Sequence, residues 1–162
     1  EVHDRMRTLI EELLTLAQES EAVADCEPVN LAALVEDCWT TVETCNATLI
    51  TDSNKTIQAD ESRLKQLFEN LIRNAVEHGG EAVTVTVGGF ADGFYVEDDG
   101  PGIPEGLRNE VFESGYSSDK YGTGLGLSIV RQIVQAHNWT IRVTEGTAGG
   151  ARFEISCNSN HE

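Results

Sequence analysis

Two glycine clusters stand close together in this chain, Val96-Glu97-Asp98-Asp99-Gly100-Pro101-Gly102-Ile103-Pro104 and Gly122-Thr123-Gly124-Leu125-Gly126-Leu127. The second cluster leads directly into an apolar-periodic segment, residues 125–136, which predicts a helix. Glycines at a helix start allow backbone N–H groups to approach an anion, and the helix dipole favours negative charge there. The second cluster therefore indicates a phosphate-binding loop.

The first cluster indicates a different kind of contact. Asp98 ends a predicted strand, and Gly100 and Gly102 follow it at Asp-x-Gly-x-Gly spacing. The Asp98 carboxylate can accept a hydrogen bond from an exocyclic amine, and Gly102 allows a flat ring to lie close to the backbone. Either cluster alone is more typical of a tightly packed turn. Their combination points to a nucleotide site.

A long amphipathic helix precedes both clusters. Asp60 is a predicted N-cap, and residues 61–78 carry apolar side chains at helical spacing. Asn70, Asn74 and His78 lie four residues apart on a neighbouring face. Because asparagine is a poor helix former, two of them on one stripe suggest a function. An exposed polar face is the alternative when the helix is considered by itself.

Four segments match motifs of a known family, in the family's order: an N box at 69–75, a G1 box at 98–103, an F box at 111–113 and a G2 box at 122–127. The chain resembles the ATP-binding catalytic domain of sensor histidine kinases, within the ATPase group that includes gyrase B, the Hsp90 chaperones and MutL. The resemblance covers residues 28–157. It implies an α/β (α+β) two-layer sandwich of the Bergerat type, with a mixed sheet and helices on one face, plus an N-terminal helix.

The resemblance also implies ATP and Mg²⁺ as cofactors. Asn70 and Asn74 would be the catalytic residues: Asn74 would bind Mg²⁺ through its side-chain oxygen, and Asn70 would support the phosphates. Mg²⁺ suits such a site because it keeps several waters and takes few protein ligands. Asp98 would select adenine. The other implied nucleotide contacts are His78, Gly100, Gly102, Ile103, Phe112, Lys120, Gly122, Thr123, Gly124, Leu125 and Gly126.

The chain departs from the family pattern at two positions. Glu77 stands where the family usually has a Lys or Arg that holds phosphate, so Arg73 or Lys120 would have to substitute. Residues 146–150 resemble the family's last glycine box, but Ala151 replaces the hydroxyl residue often seen there. His78 is as consistent with an ordinary polar-face histidine as with a nucleotide contact.

The remaining elements are predicted from local patterns. Residues 31–44 form a helix with Asn30 as its N-cap. Residues 105–123 form a lid whose base is anchored by Phe112. Candidate apolar walls of the pocket are Ile103, Leu125 and Phe153. The predicted strands are 47–51 and 56–59, paired as a hairpin across 52–54, followed by 81–90, 94–98, 139–144 and 152–156.

Residues 1–24 form a separate helical unit, and residues 158–162 form a tail. Apolar side chains at three- and four-residue spacing in the first helix suit a bundle or coiled coil. By resemblance it is the second helix of a dimerisation and phosphotransfer hairpin, which predicts a homodimer through that hairpin. His3 precedes an acidic residue, as the family's phosphoacceptor does, but it lacks the family's proline and one of the two expected helices. We therefore expect the acceptor upstream of residue 1.

The charge composition bears on partners. The chain has 28 acidic and 11 basic residues and a net charge of −17, which argues against nucleic acid and anionic membranes as partners. A salt-adapted surface is favoured over a specific acidic function. No apolar run approaches the ~18 residues of a membrane span. The four cysteines show no metal-ligand spacing, so reduced thiols and a cytoplasmic location are predicted.

The predicted function is the catalytic ATP-binding portion of a two-component sensor histidine kinase, which passes phosphate to a histidine and then to the aspartate of a response regulator receiver domain. Catalysis would be mostly positioning and charge neutralisation. One alternative is a non-kinase ATPase of the same group, in which a glutamate four residues before the second asparagine activates water. Here that position is Asn70, and Glu69 points about 100° away on the helix. The other alternative, left open by Glu77, is a degenerate nucleotide-binding or scaffold module.

Overall fold

The computed structural model describes residues 2–19, 26–42, 44, 46–52, 54–80, 82–108, 110–112 and 126–157, and in the first helix it describes the side chains of residues 6–14. Helices and strands follow one another in the order expected for an α+β domain, with one short 3-10 helix at Glu105–Leu107. The elements are α1 Val2–Glu19, β1 Glu27–Asn30, α2 Leu31–Thr41, β2 Thr48–Thr51, β3 Thr56–Ala59, α3 Glu61–His78, β4 Thr84–Phe90, β5 Gly93–Asp98, α4 Gly126–Ala136, β6 Thr140–Glu145 and β7 Ala151–Ser156.

Five strands form the main sheet, in the order β2-β4-β5-β7-β6. β2 runs parallel to β4, and the other neighbours are antiparallel, so the sheet is mixed as predicted. β5 is the central strand: Asp98 lies opposite Val85 of β4, and Val96 lies opposite Phe153 of β7. The strand that ends in Asp98 is therefore held on both sides.

The predicted hairpin between residues 47–51 and 56–59 is wrong. β2 pairs with β4, whereas β3 pairs with β1 in a separate two-stranded sheet. The physical reason is burial, because Val29 and Ile57 lie opposite each other and both enter the core. A hydrogen bond of 2.9 Å from the Leu31 N–H to the Lys55 carbonyl extends the β1–β3 connection.

The core lies between the sheet and one layer of helices, which confirms the two-layer arrangement. α3 packs against both α2 and α4. Phe68 of α3 contacts Phe94 of β5 with ring centroids 5.3 Å apart, and Phe94 contacts Trp139 edge-on at 6.1 Å. All three rings are buried, so the aromatic contacts tie the long helix to the centre of the sheet.

Polar side chains fix the starts of α2 and α3. Asn30 caps α2 by accepting from the Ala33 N–H at 2.9 Å, and Asp60 caps α3 by accepting from the Arg63 N–H at 3.2 Å. Both caps are predicted from sequence, and the 61–78 helix is confirmed to the residue. The other predicted elements are present with boundary shifts: α2 ends at Thr41, and β4 begins three residues after position 81.

The first helix lies against α4 but keeps much of its apolar stripe exposed. Met6, Ile10, Leu13 and Leu14 are each more than half exposed. The side chain of His3 is outside the described part of the helix. Among the described residues, no helix is both long enough and apolar enough to cross a membrane.

Candidate nucleotide-binding site

Asp98 is the buried polar centre of the first glycine cluster. It ends β5 and is only 8% exposed. Its Oδ1 accepts hydrogen bonds from the Gly100 N–H at 2.9 Å and from the Ala151 N–H at 3.3 Å. No donor among the described residues reaches Oδ2. The carboxylate is thus held by one oxygen, and the other is left for a ligand.

Opposing effects act on the protonation of this carboxyl. Burial raises the pKa of Asp98 above its ordinary value, whereas the N–H groups of Gly100 and Ala151 act to lower it. The negative charges of Asp99 and Glu97 raise it further. Because an ionised carboxylate is the better acceptor, the two backbone bonds favour the state that an amine donor requires.

Glycines allow the site's backbone segments to approach one another. A Cβ on Gly100 would lie 2.5 Å from the Cα of Gly79, and a Cβ on Gly102 would lie 2.9 Å from the Gly149 carbonyl. Gly102 also has a φ of +80°, which favours glycine. Gly79 is the C-cap of α3, so this contact brings the end of the asparagine-bearing helix against the first cluster.

Asn70 is the buried polar residue of α3. It is 2% exposed, and its Oδ1 accepts from Arg73 Nη1 at 3.0 Å. Its Nδ2 is buried and has no hydrogen-bond partner in the part of the chain that the structure describes. An orphaned buried donor is costly unless a ligand or water supplies an acceptor, so Asn70 fits a site for an anionic oxygen. Arg73 adds positive charge beside it.

Asn74 and His78 follow at one-turn intervals. Both are half-buried, and Asn74 has no hydrogen-bond partner among the described residues. Its amide oxygen is therefore available for a cation, as a Mg²⁺ ligand would need to be. Glu77 is exposed.

Glu69, the one carboxylate adjacent to Asn70 in sequence, faces α2. Burial raises the pKa of the Cys38 thiol in α2 to about 12, and the charge of Glu69 adds to that shift. The negative charge of Glu69 therefore acts on the Cys38 side of α3. The position from which related ATPases activate water is thus occupied by the neutral Asn70.

Phe112 and Ile103, two predicted apolar contacts of the nucleotide, both pack on the hydrophobic core. Phe112 is buried edge-on against Phe153 at 6.1 Å, and its carbonyl accepts from the Ser128 hydroxyl of α4 at 2.9 Å. Ile103 is half-buried and packs on the core. Phe153 is itself a core residue beneath Phe112.

Most of the second cluster lies outside the described residues. This applies to Lys120, Gly122, Thr123, Gly124 and Leu125, and to most of the predicted lid, the tail and Cys45. Gly126 is described as the first residue of α4, and a Cβ added there would meet open space. The helix predicted to follow the cluster is thus present.

Two close glycine contacts with the first cluster were not predicted from sequence, although residues 146–150 resemble the family's last glycine box. Gly79 receives the first cluster, and Gly150 packs so closely on Asp98 that a Cβ would collide with its carbonyl and Oδ1. The available signals were the glycine pairs at 79–80 and 149–150. They indicate turns, but not which distant residue the turns contact.

Comparisons with known proteins agree with this geometry. Residues 59–160 match the family model described as histidine kinase-, DNA gyrase B-, and HSP90-like ATPase. Sporulation kinase A of Bacillus subtilis (strain 168) is 33% identical over 163 residues, which cover 94% of this chain and 27% of that protein. The chain thus spans about a quarter of the length of this relative.

Two solved structures share the fold. The mycobacterial sensor histidine kinase MprB superposes with a TM-score of 0.70 at 27% identity, covering 80% of this chain and 95% of that one. Full-length ShkA in complex with AMPPNP superposes with a TM-score of 0.80 at 28% identity, covering 96% of this chain and 36% of that one. The chain belongs to the histidine kinase-, DNA gyrase B- and HSP90-like ATPase family, as an ATP-binding catalytic domain of the sensor histidine kinase type.

Proposed function

We propose that this chain is the Mg-ATP-binding catalytic portion of a two-component sensor histidine kinase. It holds ATP so that the γ-phosphoryl group passes to a histidine of a helical hairpin, and from there to an aspartate of a response regulator receiver domain. The observation that carries the proposal is the buried Asp98, whose Oδ1 is fixed by two backbone N–H groups while Oδ2 stays available.

Adenine recognition is assigned to Asp98. Its Oδ2, which no described donor reaches, accepts from the exocyclic amine, a donor that guanine lacks at the corresponding ring position. Gly100 and Gly102 allow the ring to lie against the backbone, with Ile103 at its apolar side. The fixed Oδ1 supports this role because a preorganised acceptor loses little freedom on binding.

Phosphate and metal binding are assigned to α3. The orphaned Nδ2 of Asn70 donates to a phosphate oxygen, and the Asn74 amide oxygen is a Mg²⁺ ligand. Mg²⁺, when bound, neutralises charge on the phosphate oxygens. Arg73 contributes positive charge in place of the basic residue that Glu77 replaces, which its contact with Asn70 supports.

Dimerisation is assigned to α1. Its exposed apolar stripe suits a homodimer through a helical hairpin, the arrangement in which a catalytic domain reaches an acceptor histidine. Residues 6–14 of α1, whose side chains the structure describes, contain no histidine. Asn70 in place of a carboxylate, with Glu69 near Cys38, supports phosphoryl transfer over hydrolysis.

The proposal is tested by calorimetric titration of ADP and ATP with Mg²⁺, using the wild type and Asp98→Asn. The substitution keeps an oxygen for Gly100 and Ala151 but turns an N–H toward the adenine amine, so we expect affinity to fall roughly 10- to 100-fold. Asp99→Asn is the matched control. The Asp99 carboxylate accepts a hydrogen bond of 2.8 Å from the Thr84 N–H, and this contact lies away from Asp98 Oδ2. The Asp99→Asn protein should bind like the wild type.

A second arm tests the metal. Asn74→Ala should reduce the gain in affinity that Mg²⁺ gives, with little change in the metal-free affinity. A folded wild-type chain that binds neither nucleotide would contradict the kinase proposal and favour the degenerate module. Steady phosphate release from ATP, unaffected by Asn70→Ala, would favour the hydrolase instead.

A further inference from the structure

The turn between β6 and β7 packs against Asp98 from one side. The Gly146 N–H donates to the Gly150 carbonyl at 2.7 Å and closes the turn. At its end, the Ala151 N–H donates to Asp98 Oδ1, and Gly150 has no room for a Cβ beside that carboxylate. The position of this turn therefore fixes one side of the Asp98 carboxyl group.

Glu97 holds the same turn from the opposite face of the sheet. It precedes Asp98 on β5, so the two side chains point to opposite faces. Glu97 Oε2 accepts from the Thr147 hydroxyl at 2.5 Å, and Glu97 Oε1 accepts from the Thr147 N–H at 3.4 Å. Oε1 also accepts from Arg152 Nη1 at 3.1 Å. One carboxylate thus joins the tip of the turn to β7.

Arg152 is itself fixed in place. It lies opposite Glu97 in the β5–β7 pairing, its Nε donates to Glu154 at 2.7 Å, and its guanidinium lies 3.8 Å from the centre of the Tyr95 ring. The side chain of Glu97 is 11% exposed. Because of these contacts, the Glu97–Arg152 ion pair is more restrained than an ordinary surface ion pair.

We propose that Glu97 is a positioning residue for Asp98: through Thr147 and Arg152 it clamps the β6–β7 turn, and the turn holds the carboxylate that receives the adenine amine. The inference rests on the proposed function, since it concerns how Asp98 is presented to the nucleotide. Nothing in the motif pattern points to Glu97. Its role follows from the contacts that Glu97 and Asp98, on opposite faces of β5, both make with the β6–β7 turn.

Replacing Glu97 has two opposite effects on the pKa of Asp98, one through the position of the turn and one through the lost charge. Loosening the turn weakens the bond from the Ala151 N–H and raises that pKa, whereas removing the negative charge of Glu97 alone lowers it. Thr147→Val loosens the turn without changing any charge. Asp99 and Gly100, the other groups acting on this carboxyl, are unchanged in both variants.

The experiment compares the wild type, Thr147→Val, Glu97→Gln and Arg142→Gln, all in the full chain. Arg142 is the matched control because it contacts Glu154 at the outer end of the same network and does not touch the turn. The Asp98 carboxyl carbon is titrated by NMR without nucleotide, and Mg-ADP affinity is measured by calorimetry between pH 5 and 8. Thermal unfolding of each variant measures any general loss of stability.

We expect Thr147→Val to raise the Asp98 pKa by roughly half a pH unit and to weaken Mg-ADP binding about threefold. Glu97→Gln should move both quantities in the same direction, despite its lost charge, and Arg142→Gln should move neither. Unchanged titration in Thr147→Val, or a lowered pKa in Glu97→Gln alone, would overturn the positioning role.

The two levels of inference fail differently. If the titration moves as expected but no variant, nor the wild type, binds Mg-ADP, the proposed function fails while the clamp on Asp98 stands. If the wild type binds Mg-ADP and both turn variants bind it equally well at every pH, the clamp has no role in nucleotide recognition and the inference is wrong.

Discussion

α1 and α3 are both amphipathic helices of 18 residues, but they use their apolar faces differently. In α3, the stripe that includes Leu64, Leu67, Phe68 and Ile72 is fully buried against the sheet and the neighbouring helices. In α1, five large apolar side chains stay exposed although the helix lies against α4. The exposed side chains are Met6, Leu9, Ile10, Leu13 and Leu14.

The difference teaches what helical periodicity can predict. The spacing of apolar residues indicates which face of a helix is apolar, but not what covers that face. The stripe of α3 is covered within the chain, because the strands and helices beside it form one layer each. The stripe of α1 is left for a further surface, for which we propose a second copy.

The largest effect should come from truncating α3. Phe68→Ala removes a fully buried ring in contact with Phe94, so we expect the free energy of unfolding to fall by about 3–5 kcal/mol. Leu14→Ala, at a site 58% exposed in α1, should change it by less than ~0.5 kcal/mol in the monomer. Urea unfolding at low protein concentration measures both. Similar losses in the two variants would contradict the contrast between the helices.

The next effect concerns the α1 stripe itself. Leu13→Glu places a charge on the exposed apolar face, so we expect the dimer dissociation constant to rise at least about tenfold, measured by sedimentation equilibrium. Gln135→Glu adds the same charge at an exposed polar position of α4 and should leave it unchanged. A Leu13→Glu protein that dimerises like the wild type would assign the dimer to another surface.

A smaller effect should come from a histidine that contacts the start of α3. Among the described contacts, α1 has no such histidine at its start. His137 Nδ1 bonds to the Ile133 carbonyl at 2.9 Å, and its Nε2 accepts from the Asp60 N–H at 3.1 Å. Burial lowers the pKa of His137 below 6.5. The unfolded chain therefore binds a proton first as pH falls, and stability declines from pH 6.5 downward until the folded-state pKa is passed.

Replacing this histidine tests the sign. His137→Gln removes the titration and should lower stability at pH 7.5 by about 1 kcal/mol, while flattening the decline between pH 6.5 and 5. Unfolding free energies at several pH values measure this. The range above pH 5 is chosen because Asp98, whose pKa is raised from 3.8 by burial, acts with the opposite sign at lower pH. An unchanged slope would contradict the role of His137.

Sequence patterns predicted the fold wherever the cause was local. Asn30 and Asp60 cap helices through side chains three residues from their partners, and the α3 stripe depends on spacing along one helix. The β2–β3 hairpin failed because strand pairing depends on distant segments. β3 pairs with β1, the strand that precedes α2, and Val29 of β1 is buried opposite Ile57 of β3.

The candidate site divides in the same way. Asp98 and Asn70 were singled out by residue type and spacing, and the structure shows both to be buried polar residues, while their roles stay predictions. The contacts of Gly79, Gly150 and Glu97 were not predicted because each depends on two segments that meet only in the folded chain. The prediction of a metal ligand at Asn74 remains for the Mg²⁺ titration to test.

The smallest effect should come from salt, because α1 and α3 differ in their net charge. α1 carries four acidic and two basic side chains, whereas α3 carries three of each. Two copies of α1 would repel each other, and raising NaCl from about 0.1 to 1 M shortens the screening length from about 10 to 3 Å. We expect the dimer dissociation constant to fall a few-fold (~0.5–1 kcal/mol), while the cost of Phe68→Ala stays constant. Sedimentation at both salt concentrations measures the first, and urea unfolding the second. A dimer weakened by salt would mean that ion pairs, rather than the apolar stripe, hold the two copies together.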